Sequence, residues 1–227
     1  MEQLTRTEWI IGKQALSQLK NTHVLIIGIG GVGSYALECL VRSGIGKITI
    51  VDYDTIDITN LNRQLITNHQ NIGKEKLEEW ETRISEINPN CNVTKIKKYL
   101  KKEDIHELLQ IHPDYIIDAC DTIEVKKELI RESIKQNIKL ISSMGTGNKL
   151  DPNKLQISDI RKTNYDPIAK ILRKMIKEEK INAKIPVVWS NEQPIQTENK
   201  KVGSMMMVPS ASGILCASYV INDIIKK

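Results

Sequence analysis

Residues 23–54 read HVLIIGIGGVGSYALECLVRSGIGKITIVDYD, and this stretch decides the fold. Residues 23–28, HVLIIG, with an apolar run from Val24, suit a strand buried on both faces. It ends in a glycine cluster, after which the pattern from about Val32 to Arg42 suits a helix. Gly44 and Gly46 then lead into a second strand, KITIVD, at 47–52. Strand, glycine turn, helix and strand form a βαβ unit, whose crossover is right-handed. Gly28, Gly30 and Gly33 match a dinucleotide-binding loop. The first permits the tight turn, the second lets backbone approach phosphate, and the third lets the helix pack on the sheet. Asp52 stands 19 residues beyond Gly33, where a ribose-binding carboxylate belongs. Gly31 is extra to the motif. Nucleotide binding follows, but the identity of the nucleotide does not.

Outward from this unit, helices alternate with short apolar strands. A helix is predicted over 74–87, with Leu77, Trp80, Ile84 and Ile87 on one side, then a strand at 92–98 and a short helix at 103–110. A buried strand at 115–119, a helix at 123–136 and a strand at 139–143 continue the series. The fold class is therefore α/β, a Rossmann-like doubly wound and mostly parallel sheet. Beyond Gly145 the pattern changes: strands at 155–160 and 185–190, a helix opened by Asp166-Pro167, a polar loop at 191–203, and a terminal helix from about Ser210. These suggest C-terminal antiparallel additions. The chain's 227 residues suit one domain. Its 1–150 half carries the nucleotide loop, and 151–227 is left for substrate binding and dimerisation.

Composition narrows the class. No stretch approaches the roughly 20 apolar residues of a membrane span, and the N-terminus has no signal-peptide pattern, so the cytoplasm is the expected compartment and no membrane the expected surroundings. Cys39, Cys91, Cys120 and Cys216 form no C-x-x-C pair, which predicts reduced, buried thiols rather than a zinc ribbon. Residues 1–90 carry a net charge of −2 and the remainder +7, so the second half is suited to an anionic partner.

The segment DYDTIDITNLNRQ (52–64) is more selective than the glycines. It places Asp54, Asn60, Asn62, Arg63 and Gln64 directly after the second strand, and Lys76 follows on the next helix. A triphosphate calls for a guanidinium and an ammonium; the alternative is that Arg63 and Lys76 are solvated surface charges. Asp118 and Asp121 in DACDT lie at the carboxyl end of a core strand, the ligand edge of an open sheet. A carboxylate there suits Mg²⁺, or Asp121 caps the following helix.

GIGGVG (28–33), DYD (52–54), TNLNRQ (59–64), IGKEK (72–76) and DACDT (118–122), in this order, resemble the ubiquitin-activating-enzyme-like adenylating enzymes. The resemblance implies that Gly28, Gly30, Gly31, Gly33, Asp52, Asp54, Asn60, Asn62, Arg63 and Lys76 bind ATP. Asp121 would support Mg²⁺ and catalysis, alongside Arg63 and Lys76. Arg6, in RTEWIIG, matches an arginine that reaches the neighbouring subunit's site, which implies a homodimer. Within that superfamily, RISEINPNC, LDPNKLQISDI, DPIAKILRK, VVWSNEQPI and the terminal GSMMMVPSASGILCASYVIND resemble the branch acting on threonylcarbamoyladenosine in tRNA. That branch adenylates the threonyl carboxylate and closes a ring with loss of water. The segment 191–204 is shorter than in many members and lacks the cysteine some carry before the match to Gly203-Ser204.

In DPIAKILRKMIKEEK, Ile168, Ile171, Leu172, Met175 and Ile176 share one helical face, while Lys170, Arg173, Lys174 and Lys177 share the other. The cationic face suits RNA phosphates, or it is solvated surface. KIKKYLKK (95–102) is a second basic candidate. Three alternatives stay open: an adenylating activator of a ubiquitin-like sulfur-carrier protein, a non-catalytic nucleotide- or RNA-binding module, and, more remotely, an NAD oxidoreductase. Sulfur-transfer or redox partner proteins are also left open.

Overall fold

The computed structural model describes residues 2–198 and 201–226. The helices are α1 (Thr5–Asn21), α2 (Gly33–Ser43), α3 (Lys76–Ile87), α4 (Ile105–Leu108), α5 (Ile123–Lys135), α6 (Pro167–Glu178) and α7 (Met207–Ile225). The strands are β1 (His23–Ile27), β2 (Lys47–Asp52), β3 (Asn92–Lys97), β4 (Tyr115–Asp118), β5 (Lys139–Ser143), β6 (Leu155–Asp159) and β7 (Pro186–Ser190). They form one sheet in the order β3-β2-β1-β4-β5-β7-β6. Every pairing is parallel except β6 with β7, so the antiparallel addition is the single edge strand β6.

Side chains of β1 alternate between two cores, as a period of two requires. Val24 and Ile26 face a layer containing Leu37, Leu40, Trp80 and, from α7, Ala217 and Val220. Leu25 and Ile27 face the layer of α5 and α6, with Leu129, Ile130 and Leu172. Helices thus cover both faces. The strand order reverses between β1 and β4, which opens a crevice at their carboxyl ends, and this is where such sheets take ligands.

Two segments differ from expectation. Helix α1 has no counterpart in the sequence reading, because its pattern is broken at Gly12, whose φ of 79° interrupts the helical backbone. Helix α7 begins three residues earlier than expected, and by length and composition it is apolar enough to cross a membrane. Here that apolar surface packs on α2 and the sheet, burying Val208, Cys216, Ala217, Val220 and Ile224. All four cysteines are free, but only Cys216 is fully buried; the others are half-buried.

Candidate active site

The glycine loop takes its shape from contacts with β2 and with the turn after β4. Gly28 has a φ of 82°, and its N–H donates to the Val51 carbonyl at 2.9 Å. A Cβ there would stand 2.9 Å from the Ala119 carbonyl oxygen, and one on Gly33 would stand 1.8 Å from that of Gly28. Any side chain at either position would force the loop off the sheet. Helix α2 then starts without a side-chain capping bond; the Ser34, Tyr35 and Ala36 N–H groups turn back to the Gly30 and Val32 carbonyls, and the positive end of the helix dipole lies at the loop.

Asp52 has a larger structural part than a ribose contact. Its Oδ2 accepts the Ile29 N–H at 2.9 Å, and its Oδ1 accepts those of Tyr53 and Asp54 at 2.8 and 2.9 Å. A carboxylate accepts about four such bonds, so one position is left for a ligand hydroxyl. Asp54 is half exposed and accepts Lys76 Nζ at 2.8 Å, while the Lys76 side chain is only 3% exposed. Burial sets aside the reading of Lys76 as a solvated surface charge.

Asn60 is buried in a short 3-10 turn, where its Oδ1 accepts the Asp57 N–H. It thereby shapes the turn that presents Arg63. Arg63 Nη1 donates to the Thr59 carbonyl and to Asn62 Oδ1, both at 2.9 Å, and Asn62 Nδ2 donates to the Ser204 carbonyl at 2.8 Å. The guanidinium is thus held from behind with most of its five donors still available.

Asp118 and Asp121 separate cleanly. Asp118 is fully buried and meets Lys126 Nζ at 3.1 Å, with Ser142 Oγ donating to it at 2.5 Å. Burial alone would lower the Lys126 pKa, but the Asp118 charge outweighs it and the ammonium is raised. Asp118 is committed to this pair, whereas Asp121 is exposed. The N-cap of α5 is Thr122, and no side chain makes a capping bond there, so Asp121 does not serve as its cap.

These parts surround one cavity of about 330 Å³ at the carboxyl edge of β1, β2 and β4. Gly28, Gly30, Gly31, Asp52, Asp54, Asn60, Arg63, Lys76 and Asp121 all line it. Gly33 lies behind the loop, Asn62 holds Ser204 at the rim, and Arg6 sits exposed on α1 outside the cavity. Gln64, part of the polar segment after β2, is buried beside Gly30 with its Oε1 unpartnered among the described residues. Several other lining residues were missed in the sequence. Tyr53 and Tyr99 meet edge to face, 4.8 Å between centroids, and Leu100 and Val125 add apolar wall beside them. Thr146, Ser204 and Pro209 complete the lining, with Pro209 beside Gly31 and Arg63. Cys120 also lines the cavity, its thiol pushed well up by burial and the Asp118 charge.

The cationic residues of α6 lie elsewhere. Lys170, Lys174 and Lys177 are exposed, but Arg173 turns back to donate to the Thr163 carbonyl and hydroxyl. Ile171, assigned to the apolar face, remains 39% exposed at its margin. Asp166, which caps α6 through the Ala169 N–H, also accepts the Gly145 N–H at 2.9 Å. This anchors the start of α6 one residue from Thr146.

A glycine-loop crevice lined by Arg63, Lys76 and Asp121 has the geometry of a nucleotide site with two cations and a carboxylate at hand. The chain belongs to the ThiF family, whose model matches residues 3–206. It is 41% identical over its whole length to the tRNA threonylcarbamoyladenosine dehydratase of Bacillus subtilis (strain 168), spanning 96% of that protein. It is 33% identical to the protein of the same name from Escherichia coli (strain K12), over 93% of this chain and 77% of the relative. The crystal structure of E. coli tRNA N6-threonylcarbamoyladenosine dehydratase, TcdA, in complex with ATP superposes with a TM-score of 0.93, covering 99% of this chain and 94% of the other at 31% identity.

Proposed function

We propose that this chain is an ATP-dependent tRNA threonylcarbamoyladenosine dehydratase. The observation that carries this reading is the single cavity that brings Arg63, Lys76 and Asp121 to the glycine loop, in a chain related over its full length to dehydratases. A carboxylate resists attack because its oxygen is a poor leaving group. The threonyl carboxylate attacks the α-phosphorus of ATP, pyrophosphate leaves, and a mixed anhydride with AMP results. A urea nitrogen of the same nucleoside then attacks the activated carbonyl, closing a hydantoin-type ring and expelling AMP. The net change is loss of one water. Attack within one nucleoside gains from proximity, so no enzyme nucleophile is needed. None is offered at the position before Gly203, where Val202 stands.

The residues divide the work by charge. The glycine-loop N–H groups and the N-terminus of α2 receive the phosphates. Arg63 and Lys76 neutralise charge that develops on the phosphate oxygens. Asp52 takes a ribose hydroxyl, and the apolar wall of Leu100 and Val125 takes the base. Asp52, Asp54 and Asp121 are the carboxylates that reach the cavity; Asp52 is largely taken up by backbone N–H groups and Asp54 pairs with Lys76, so Asp121 is the one left for a cation. A carboxylate at this edge suits Mg²⁺, which takes few protein ligands and completes its shell with water and phosphate oxygens. Bound beside Asp121, it would supply further charge neutralisation.

The 1–150 half forms the ATP site, and the 151–227 half serves substrate and dimer contacts. Lys170, Lys174 and Lys177 face the tRNA, with Arg173 bracing the helix. Trp9 and Ile10 are 76% and 86% exposed beside Arg6, and Met205, Met206 and Ile214 are also exposed. Such apolar exposure fits a homodimer in which Arg6 completes the partner's site. The compartment is the cytoplasm.

The deciding experiment incubates the protein with ATP, Mg²⁺ and tRNA carrying threonylcarbamoyladenosine and weighs the nucleoside. Loss of one water with AMP release is expected. AMP formed only on adding a small sulfur-carrier protein would replace this reading with carrier activation. Gly31→Ala gives a finer check. The added methyl would stand 3.3 Å from Arg63 Cγ and 3.4 Å from Pro209 Cβ, so it presses the guanidinium away. Turnover should fall on the order of tenfold to a hundredfold with little change in Tm, as for a small misplacement of a catalytic group. Unchanged turnover would mean that Arg63 is not so tightly placed.

A further inference from the structure

Toward the far end of α6 an open groove of about 460 Å³ is walled by Arg161, Arg173, Lys177 and Lys180, over Ile176 and Ile181. Four cations from three segments converge there: the 3-10 turn at 160–162, α6, and the turn that follows it. No carboxylate lines it. Arg161 is fixed by Asp159 at 2.9 Å and by the Ile181 and Ala183 carbonyls, and Arg173 is fixed by Thr163. Lys180 has a φ of 53°, and the Ile181 N–H bonds back to the Ile176 carbonyl, which folds the chain over the last turn of α6. Asp159 offsets Arg161, and the other nearby acids face elsewhere: Glu179 pairs with Arg131 at 2.6 Å, and Glu178 approaches Lys174 at 3.8 Å. The C-terminus of α6 carries about half a negative charge, which the four cations outweigh.

The groove is linked to the nucleotide cavity by α6 itself. Asp166 ties the start of the helix to Gly145, beside Thr146 in the cavity wall. Eleven residues at about 1.5 Å each put Lys177 about 16 Å farther along. Lys170 and Lys174 are exposed between the two. With the ribose end of the cavity at Asp52, on the β2 side, the Thr146 wall is the side left for the second substrate.

We propose that this groove is a distal clamp for the phosphate backbone of the substrate tRNA, engaged while the modified nucleoside enters past Thr146. The proposal rests on the dehydratase reading for the identity of the RNA, but binding and chemistry are measured apart. The test neutralises the two solvent-facing members, Lys177→Gln with Lys180→Gln, and leaves the bracing arginines intact. tRNA binding is followed between 50 and 200 mM salt. Two lost phosphate contacts should reduce the slope of log K against log salt by about 1.4 to 1.8, so affinity falls roughly sevenfold to twelvefold less across that range. ATP affinity should stay at the wild-type value, and turnover of a short oligonucleotide carrying the same nucleoside should fall less than turnover of the tRNA. Lys13→Gln with Lys20→Gln, on the exposed face of α1, removes equal charge and should leave the slope unchanged. A wild-type slope in the 177/180 variant overturns the clamp, as does an equal effect from the 13/20 pair or an equal loss on the short oligonucleotide. If the wild type binds tRNA steeply without removing water and only the 177/180 pair flattens the slope, the clamp stands and the dehydratase reading falls.

Discussion

Arg63→Ala is expected to leave a folded protein whose turnover of threonylcarbamoyladenosine tRNA falls by about 10² to 10³. The magnitude is that of removing one charge-stabilising donor from a preorganised site, about 2.7–4 kcal/mol of transition-state stabilisation. The fold should persist because Arg63 is half-buried on a surface turn whose shape depends on Asp57 and Asn60. Its own bonds, to Thr59 and Asn62, hold the guanidinium rather than the core. The loss should fall on kcat more than on the KM for tRNA, since the charge it meets grows as pyrophosphate departs. Arg63→Lys should recover only part of the rate, because an ammonium cannot reproduce the planar fork. ATP–pyrophosphate exchange and the mass of the nucleoside are the two readouts. Wild-type exchange in Arg63→Ala would remove Arg63 from the adenylation step and return it to the surface.

What could be read in advance followed from strong local signals. The apolar core of β1, the glycine spacing and the Asp at the end of β2 together announce a βαβ nucleotide loop, and β2 lies at 47–52 as expected. The cap at Asp166 with Pro167 likewise placed the start of α6. Features set by tertiary contact were not legible. Asp118 and Asp121 look equivalent in DACDT, and only the arrival of Lys126 and Ser142 separates a buried ion-pair member from a cavity carboxylate. Asn60 and Asn62 look like nucleotide ligands, and nothing local shows the parts they also play, one holding a turn and the other Ser204. The meeting of Tyr53 and Tyr99 joins the ends of two adjacent strands, a register that neither segment announces. Arg173 belongs to a cationic face by periodicity, but Thr163, ten residues earlier, takes its donors.

Lys126→Met should cost about 3–5 kcal/mol of stability, because it leaves Asp118 buried without its counter-charge. For a domain whose total stability is about 5–15 kcal/mol, that brings much of the population near unfolding. The position admits little relief: the two side chains are 1% and 0% exposed, so water cannot replace the ammonium cheaply. Lys126 Nζ also donates to the Ser143 carbonyl at 2.8 Å, and Asp118 accepts the Cys120 N–H, so the pair steadies both β5 and the turn that carries Asp121. Removing both charges tests this directly. Asp118→Asn combined with Lys126→Met should be more stable than Lys126→Met alone by about 1–3 kcal/mol, the coupling typical of residues in one network. Urea unfolding of the three variants and the wild type completes the cycle. Additive losses would show that the two charges do not depend on one another. A recovered fold with turnover still low would place the pair in positioning Asp121, since stability would then have returned while the orientation of the turn had not.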